Sequence, residues 1–170
     1  MTARSFLILG GARSGKTRRA LALAEEMPRP VYLATAEGRD DEMRDRIARH
    51  RAERGPRWRT VEEPVELAAA IARQADAGTG LLVDCLTLWL SNLMEHGRDV
   101  AAETGALCAA AAAFPGRLIL VSNEVGMGLV PETPLGRAFR DAQGRLNQAV
   151  AARVDAVEFV AAGLPLRLKG

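Results

Sequence analysis

Lysine is almost missing from this 170-residue chain: of 23 basic residues only Lys16 and Lys169 are lysine, and the rest are arginine. A lysine in such a background is more informative than usual, because it supplies a compact, mobile point charge where arginine would supply a rigid fork. Cysteine is scarce too. Cys85 and Cys108 are the only two, too few for a disulfide framework, and both sit in apolar surroundings that read as buried thiols. Charge of one sign is lacking, since the net value is +2, which gives no reason to expect a nucleic-acid partner or a membrane-surface patch. No apolar run approaches the roughly 18 residues of a membrane-spanning helix. The opening stretch MTARSFLILGG has an apolar core of only four residues, short of a signal peptide. These absences set aside secreted, membrane, fibrous and disordered classes, and the cytoplasm is the expected compartment.

What is present suits a soluble globular domain with a buried core. Hydrophobic residues make up 48% and charged residues 26%, and the length fits one domain over residues 1–170. Apolar runs alternate with helical patterns. Strands are expected at Ser5–Leu9, Val31–Thr35, Trp58–Val61, Leu81–Cys85, Arg117–Ser122 and Ala156–Ala161, with a last antiparallel strand in LRLK. Helices are expected over Lys16–Met27, Asp40–Arg54 and Pro64–Gln74, then as one or two pieces between 86 and 114. A long final helix is capped by Thr133 with Pro134 at its first position, and its apolar stripe is Leu135, Phe139, Ala142, Leu146, Ala149 and Val150. The alternation implies an α/β fold with a mainly parallel sheet flanked by helices.

The sharpest local signal is Gly10-Gly11-Ala12-Arg13-Ser14-Gly15-Lys16-Thr17, which matches G-x-x-x-x-G-K-[ST] between a strand and a helix,. Glycines let main-chain N–H groups ring a phosphate, and the helix N-terminus adds positive potential. Lys16 reaches the β/γ-phosphates and the Thr17 hydroxyl is a Mg²⁺ ligand. Asp84, closing the strand LLVD, is the acidic partner that holds the same metal. No Asn-Lys-x-Asp motif exists to read guanine as GTP-switch proteins do, because neither lysine stands in one.

Arg39 to Arg59 holds eight arginines and five acids. Such a run is either a solvated helix face or an arginine-rich element that closes over a triphosphate. On its helical pattern Met43, Ile47, His50 and Arg54 share one face. From spacing alone, His50 is either a packed residue or a catalytic one, and His96 beside Gly97 reads as a surface residue.

Taken in order, GGARSGKT, ATAEGRDDEMRDRIARHR, WRTVEEP, LLVDCLTLWLSNL, VSNEVGMGLVPETPLGR and FRDAQGRLNQ resemble the bifunctional adenosylcobinamide kinase / adenosylcobinamide-phosphate guanylyltransferase family. The resemblance covers essentially the whole chain, and NEVGMGLVP is more specific than the phosphate loop. It implies a phosphate-loop NTPase-like fold and two reactions. ATP or GTP phosphorylates adenosylcobinamide, and GTP then gives GMP to adenosylcobinamide phosphate, forming adenosylcobinamide-GDP and pyrophosphate. It also implies that His50 carries GMP covalently, and that Arg51, Ala52, Glu53 and Arg54 contact the nucleotide. Thr35, Ala36, Glu37, Glu62 and Asp84 match further GTP-binding positions. Where relatives carry a second histidine before the nucleophile, this chain has Arg49. The resemblance further implies a homo-oligomer, a trimer. Asn123 and Glu124, at a strand's C-terminal end, are expected beside the ligand without an assigned role. Two other readings of the residues are a different small phosphate-loop kinase and a non-catalytic nucleotide-binding regulatory subunit.

Overall fold

The computed structural model describes residues 3–37 and 55–170. The chain runs β1 (Ser5–Gly10), α1 (Lys16–Glu25), β2 (Arg29–Ala34), β3 (Arg59–Glu62), α2 (Leu67–Arg73), β4 (Thr79–Asp84), α3 (Leu86–Glu95), α4 (Val100–Ala113), β5 (Arg117–Asn123), α5 (Pro134–Arg153), β6 (Ala156–Ala161) and β7 (Leu164–Lys169). The strands form one sheet in the order β3-β2-β4-β5-β1-β6-β7. All pairs are parallel except β6 with β7. The expected α/β architecture is therefore the observed one, down to the antiparallel C-terminal strand. Among the described residues no helix is long and apolar enough to cross a membrane.

The central strands are near-continuous apolar runs because both of their faces are buried, as parallel sheets require. On one face Phe6, Ile8, Tyr32, Leu82, Ile119 and Val121 pack against Ala20, Leu23 and Ala24 of α1. On the other, Leu7, Leu33, Leu81, Val83 and Leu120 meet α2, α3, α4 and α5 through residues such as Ile71, Trp89, Leu107 and Leu146. Trp89 is fully buried, and its indole Nε1 donates to Val65 O at 2.8 Å, so the ring brings no unsatisfied donor into the core.

Several boundaries differ from the sequence expectation, each for a local reason. The helix expected from Pro64 begins at Leu67, because the Glu63 carboxylate accepts from Val65 N and Glu66 N and holds Pro64–Glu66 in a turn ahead of the helix,. The 86–114 region resolves into two helices. Gly97, at φ 62°, ends the first, and the Asp99 side chain caps the second by accepting from Ala101 N and Ala102 N,. In α5, Thr133 Oγ1 accepts from Gly136 N as expected, but Leu135 is 70% exposed. The first turn of α5 is exposed apart from half-buried Gly136, and packing begins at Phe139. The buried stripe includes Gln143 and Asn147 instead. Cys85 is buried, whereas Cys108 is only half-buried, with its thiol pointed at Ala149 O. The helix expected over Asp40–Arg54, with Met43 and Ile47, lies outside the described residues.

A two-residue turn, Ala162-Gly163, joins β6 to β7 with φ of 51° and 79°, the conformation of the tightest hairpins. One buried carboxylate ties this hairpin to α1. The Glu158 side chain, 3% exposed, accepts from Arg19 Nε at 2.7 Å and Arg19 Nη2 at 2.8 Å, and from Arg167 Nη2 at 3.3 Å. Hydrogen bonding to Arg19 holds the Glu158 carboxyl below its ordinary value of 4.5, against the opposing effect of burial. A lowered value means the pair stabilises the fold above pH 4.5 and loses that contribution as pH falls through the folded value. Glu158→Gln is expected to cost about 2 kcal/mol at neutral pH, measured by denaturant unfolding, with the gap to the parent narrowing below pH 4.5. An equal gap at every pH would show that charge pairing is not the cause.

Candidate active site

Parallel register aligns the C-terminal ends of the strands, where α/β sheets bind ligands. Gly10 lies opposite Asn123 and Val160, and Ala34 lies opposite Glu62 and Asp84. The phosphate loop leaves this edge from Gly10. A side chain at Gly10 would place its Cβ 2.5 Å from Ser14 Oγ and 2.6 Å from Val160 O. Gly15 has φ of 98°, and a Cβ there would stand 3.0 Å from Gly163 Cα. Close packing thus fixes both glycines, and at Gly15 the left-handed conformation does so as well,. Between them Ala12 and Arg13 turn the chain, with Arg13 at φ 54° and Ser14 N donating to Gly11 O.

Lys16 opens α1, and its Nζ donates to Gly11 O at 2.8 Å. The ammonium therefore lies back across the loop, at the place where main-chain donors and the helix N-terminus favour an anion. Ser14 Oγ is buried without a hydrogen-bond partner among the described residues. The hydroxyl packs beneath the loop, on the side of Gly10 that faces the Val160 carbonyl.

Thr17 Oγ1 stands 3.4 Å from Asp84 Oδ2, and Tyr32 OH donates to the same oxygen at 2.7 Å. Asp84 is thereby aimed at the phosphate loop from the neighbouring strand. No group of three or more His, Cys, Asp or Glu side chains capable of holding a metal occurs among the described residues. Magnesium at a phosphate site needs few protein ligands, because phosphate oxygens and water complete its shell. One hydroxyl beside one carboxylate fits that ion. Cys85, next to Asp84, is no rival nucleophile. Burial and then the Asp84 charge push its thiol up to about 11, so it stays protonated at neutral pH.

Other sequence-named residues fall at the same edge with different surroundings. Thr35 is fully buried; its hydroxyl donates to Cys85 O at 2.8 Å and accepts from Cys85 N at 2.9 Å. Its carbonyl accepts from Asn92 Nδ2 at 2.8 Å. Its side chain is thus engaged within the protein, and it anchors the segment leading to half-buried Ala36 and Glu37. Glu37 Oε1 meets His96 Nε2 at 3.2 Å, which places half-exposed His96 at the margin of the site. Glu62 is exposed at the end of β3, four strand spacings or roughly 19 Å from β1,. The structure brings Gly10–Thr17 and Asp84 together, but not Glu62 with them. His50, Arg51, Ala52, Glu53 and Arg54 lie outside the described residues. Tyr32 went unnoticed in the sequence, although it is the chain's single tyrosine. It sits in an apolar strand, and only the β2–β4 register reveals its role.

Comparison with known proteins places the chain in a family. A model of the family described as cobinamide kinase / cobinamide phosphate guanyltransferase matches residues 6–168. The bifunctional adenosylcobalamin biosynthesis protein CobP of Pseudomonas aeruginosa is 53% identical over 167 residues, covering 96% of each chain. The bifunctional adenosylcobalamin biosynthesis protein CobU of Escherichia coli is 39% identical over 179 residues, covering 96% of this chain and 99% of the relative. Among solved structures, the P4 protein of bacteriophage phi6 in complex with ADP superposes with a TM-score of 0.53 at 14% identity, over 97% of this chain and 53% of that one. The VirB11 ATPase of the Brucella suis type IV secretion system, in complex with sulphate, gives 0.50 at 16% identity, over 98% and 49%. This chain spans about half the length of those two structures, and the likeness concerns the fold alone.

Tyr32→Phe isolates the hydroxyl, since the ring's edge-on contact with Trp58 at 6.4 Å is retained. The variant is expected to melt within a few degrees of the parent yet need several-fold more Mg²⁺ for half-maximal turnover, because Asp84 loses a charge-assisted bond that orients it. Overlaying Mg²⁺ titrations would remove Tyr32 from the site.

Proposed function

The chain belongs to the cobinamide kinase / cobinamide phosphate guanyltransferase family, and from that premise we propose how its residues carry the two reactions. As a member it is a bifunctional transferase of adenosylcobalamin biosynthesis, an adenosylcobinamide kinase and an adenosylcobinamide-phosphate guanylyltransferase. It binds nucleotides on a phosphate-loop fold. Neither a kinase for another hydroxyl nor a non-catalytic subunit is favoured by these relatives.

In the kinase step, ATP or GTP lies with its phosphates in Gly10–Thr17, and the hydroxyl of adenosylcobinamide attacks the γ-phosphorus, breaking its bond to the β,γ-bridging oxygen and releasing ADP or GDP and a proton. Lys16 offsets charge on the transferring group, while Thr17 and Asp84 hold Mg²⁺, which neutralises the phosphate oxygens when bound. In the second step, a ring nitrogen of neutral His50 attacks the α-phosphorus of GTP and pyrophosphate leaves. A phosphate oxygen of adenosylcobinamide phosphate then displaces the histidine from the P–N bond, giving adenosylcobinamide-GDP and regenerating the imidazole. Arg51, Ala52, Glu53, Arg54, Ala36 and Glu37 line the rest of the nucleotide's path, with buried Thr35 anchoring the 36–37 segment and Glu62 at the far end, away from the phosphates. The reading further takes residues 1–170 as one catalytic domain, acting in the cytoplasm as a homo-oligomer, a trimer, without a nucleic-acid partner.

The observation that supports this reading most is the grouping of Lys16 with the Thr17–Asp84 pair at one strand edge. A suitable test incubates the protein with α-labelled GTP and no corrinoid. The expected result is a single bound GMP, acid-labile and base-stable as a P–N bond is, confined to the peptide containing His50, with pyrophosphate released. His50→Ala should abolish labelling and guanylyl transfer while sparing the kinase step. Persistent labelling of that variant would refute the histidine carrier.

A further inference from the structure

β5 ends between the two halves of the phosphate site. On one side is β1, which leads into the phosphate loop, and on the other β4, which ends at Asp84. Side chains alternate along β5. Ile119 and Val121 pack on the α1 face, Leu118 and Leu120 on the opposite one, and Ser122 Oγ donates to Asn147 Oδ1 of α5 at 2.7 Å. The same alternation turns Asn123 to the α1 face, the face that carries Thr17 and Asp84. It stands there opposite Gly10, two residues beyond the end of the β4 pairing at Val121.

The main chain at this point is held from three elements. Asn123 N donates to Thr87 Oγ1 of α3 at 2.9 Å, Asn123 O accepts from Asn147 Nδ2 of α5 at 3.2 Å, and Glu124 N donates to Gly10 O at 3.1 Å. Asn147 is itself fixed. Gln143 Nε2 donates to both Ser122 Oγ and Asn147 Oδ1 at 3.0 Å, and all three side chains belong to buried residues. The three mutual bonds of this buried network favour one arrangement of its side chains, although Gln143 Oε1 has no partner among the described residues,. Yet the Asn123 amide, half-exposed above this bracing, makes no hydrogen bond to the described residues.

We propose that Asn123 reads the terminal phosphate of the bound nucleoside triphosphate, its Nδ2 donating to a γ-phosphoryl oxygen while Thr87 and the Ser122–Gln143–Asn147 network position it. Lys16 approaches the β/γ-phosphates from the loop, and the Thr17–Asp84 pair flanks them on the β4 side. The end of β5 is the remaining side, between those two. A neutral amide donor there steadies the transferring group without removing the charge that the metal and lysine balance. A diphosphate has no group at that position, so Asn123 distinguishes a charged nucleotide from a spent one.

The inference rests on the phosphate-loop reading, and the test separates the two. Calorimetric binding of GDP and of the β,γ-imido analogue of GTP, each with Mg²⁺, is measured for the parent, Asn123→Ala and Asn123→Asp. Asn123→Asp keeps the shape and so guards against loss of fold. The expected outcome is about tenfold weaker binding of the imido analogue in Asn123→Ala and a larger loss in Asn123→Asp, where a carboxylate faces phosphate. GDP affinity should stay within about twofold in Asn123→Ala. Unchanged analogue binding in both variants, or equal losses for GDP and the analogue, would overturn the assignment and leave the phosphate loop standing. Failure of the parent to bind GDP would overturn both.

Discussion

The close passage of the phosphate loop against the β6–β7 turn governs what the rest of the molecule can do. Gly10 leaves no room for a Cβ between Ser14 and the Val160 carbonyl, and Gly15 meets Gly163 in the same way. Because the chains approach this closely, Gly163 N donates to Ser14 O at 2.8 Å. The loop is therefore braced by the C-terminal hairpin as well as by the strand it leaves. Glu158 adds a second brace by joining Arg19 on α1 to Arg167 on β7. A cradle held from two directions presents its donors with little reorganisation, which is the condition for stabilising charge as it develops.

The sheet's two faces have different work. Four helices bury the larger core, while α1 packs on the opposite face and begins at the phosphate loop. The strand ends on the α1 side carry the groups proposed for the chemistry: Asp84 with its two hydroxyl partners, and Asn123 above a buried polar network reaching back into α5. Polar groups inside a core are costly, so Ser122, Gln143 and Asn147 would be an expense without purpose if they did not hold a main chain that matters. In Cys85 the same burial has the opposite chemical effect, keeping a thiol protonated in a site whose work falls to other groups.

Much of this was legible in the sequence, because the features concerned are local. The motif Gly10–Thr17 carries its own strand–loop–helix context, the parallel strands are contiguous apolar runs, and Thr133 with Pro134 marks the start of α5. What could not be read depends on register and on partners distant in the chain. Tyr32 in VYLAT looks like core until β2 pairs with β4 and its hydroxyl comes to Asp84. Gln143 and Asn147 look like the solvent side of a helix until the sheet face requires them. Leu135 looked like core because it kept the period, but the first turn of α5 finds nothing to pack on. The Glu63 turn likewise delays the start of α2 through side-chain bonds that no propensity encodes.

The central claim is that this loop is a phosphate cradle completed by Thr17 and Asp84. It is tested most directly by a crystal structure with GDP and Mg²⁺. The β-phosphate should lie within the ring of loop N–H groups, Lys16 Nζ should leave Gly11 O for a phosphate oxygen, and the metal should stand between the Thr17 hydroxyl and the Asp84 carboxylate. A diphosphate bound elsewhere, with Lys16 still on Gly11 O, would contradict the account.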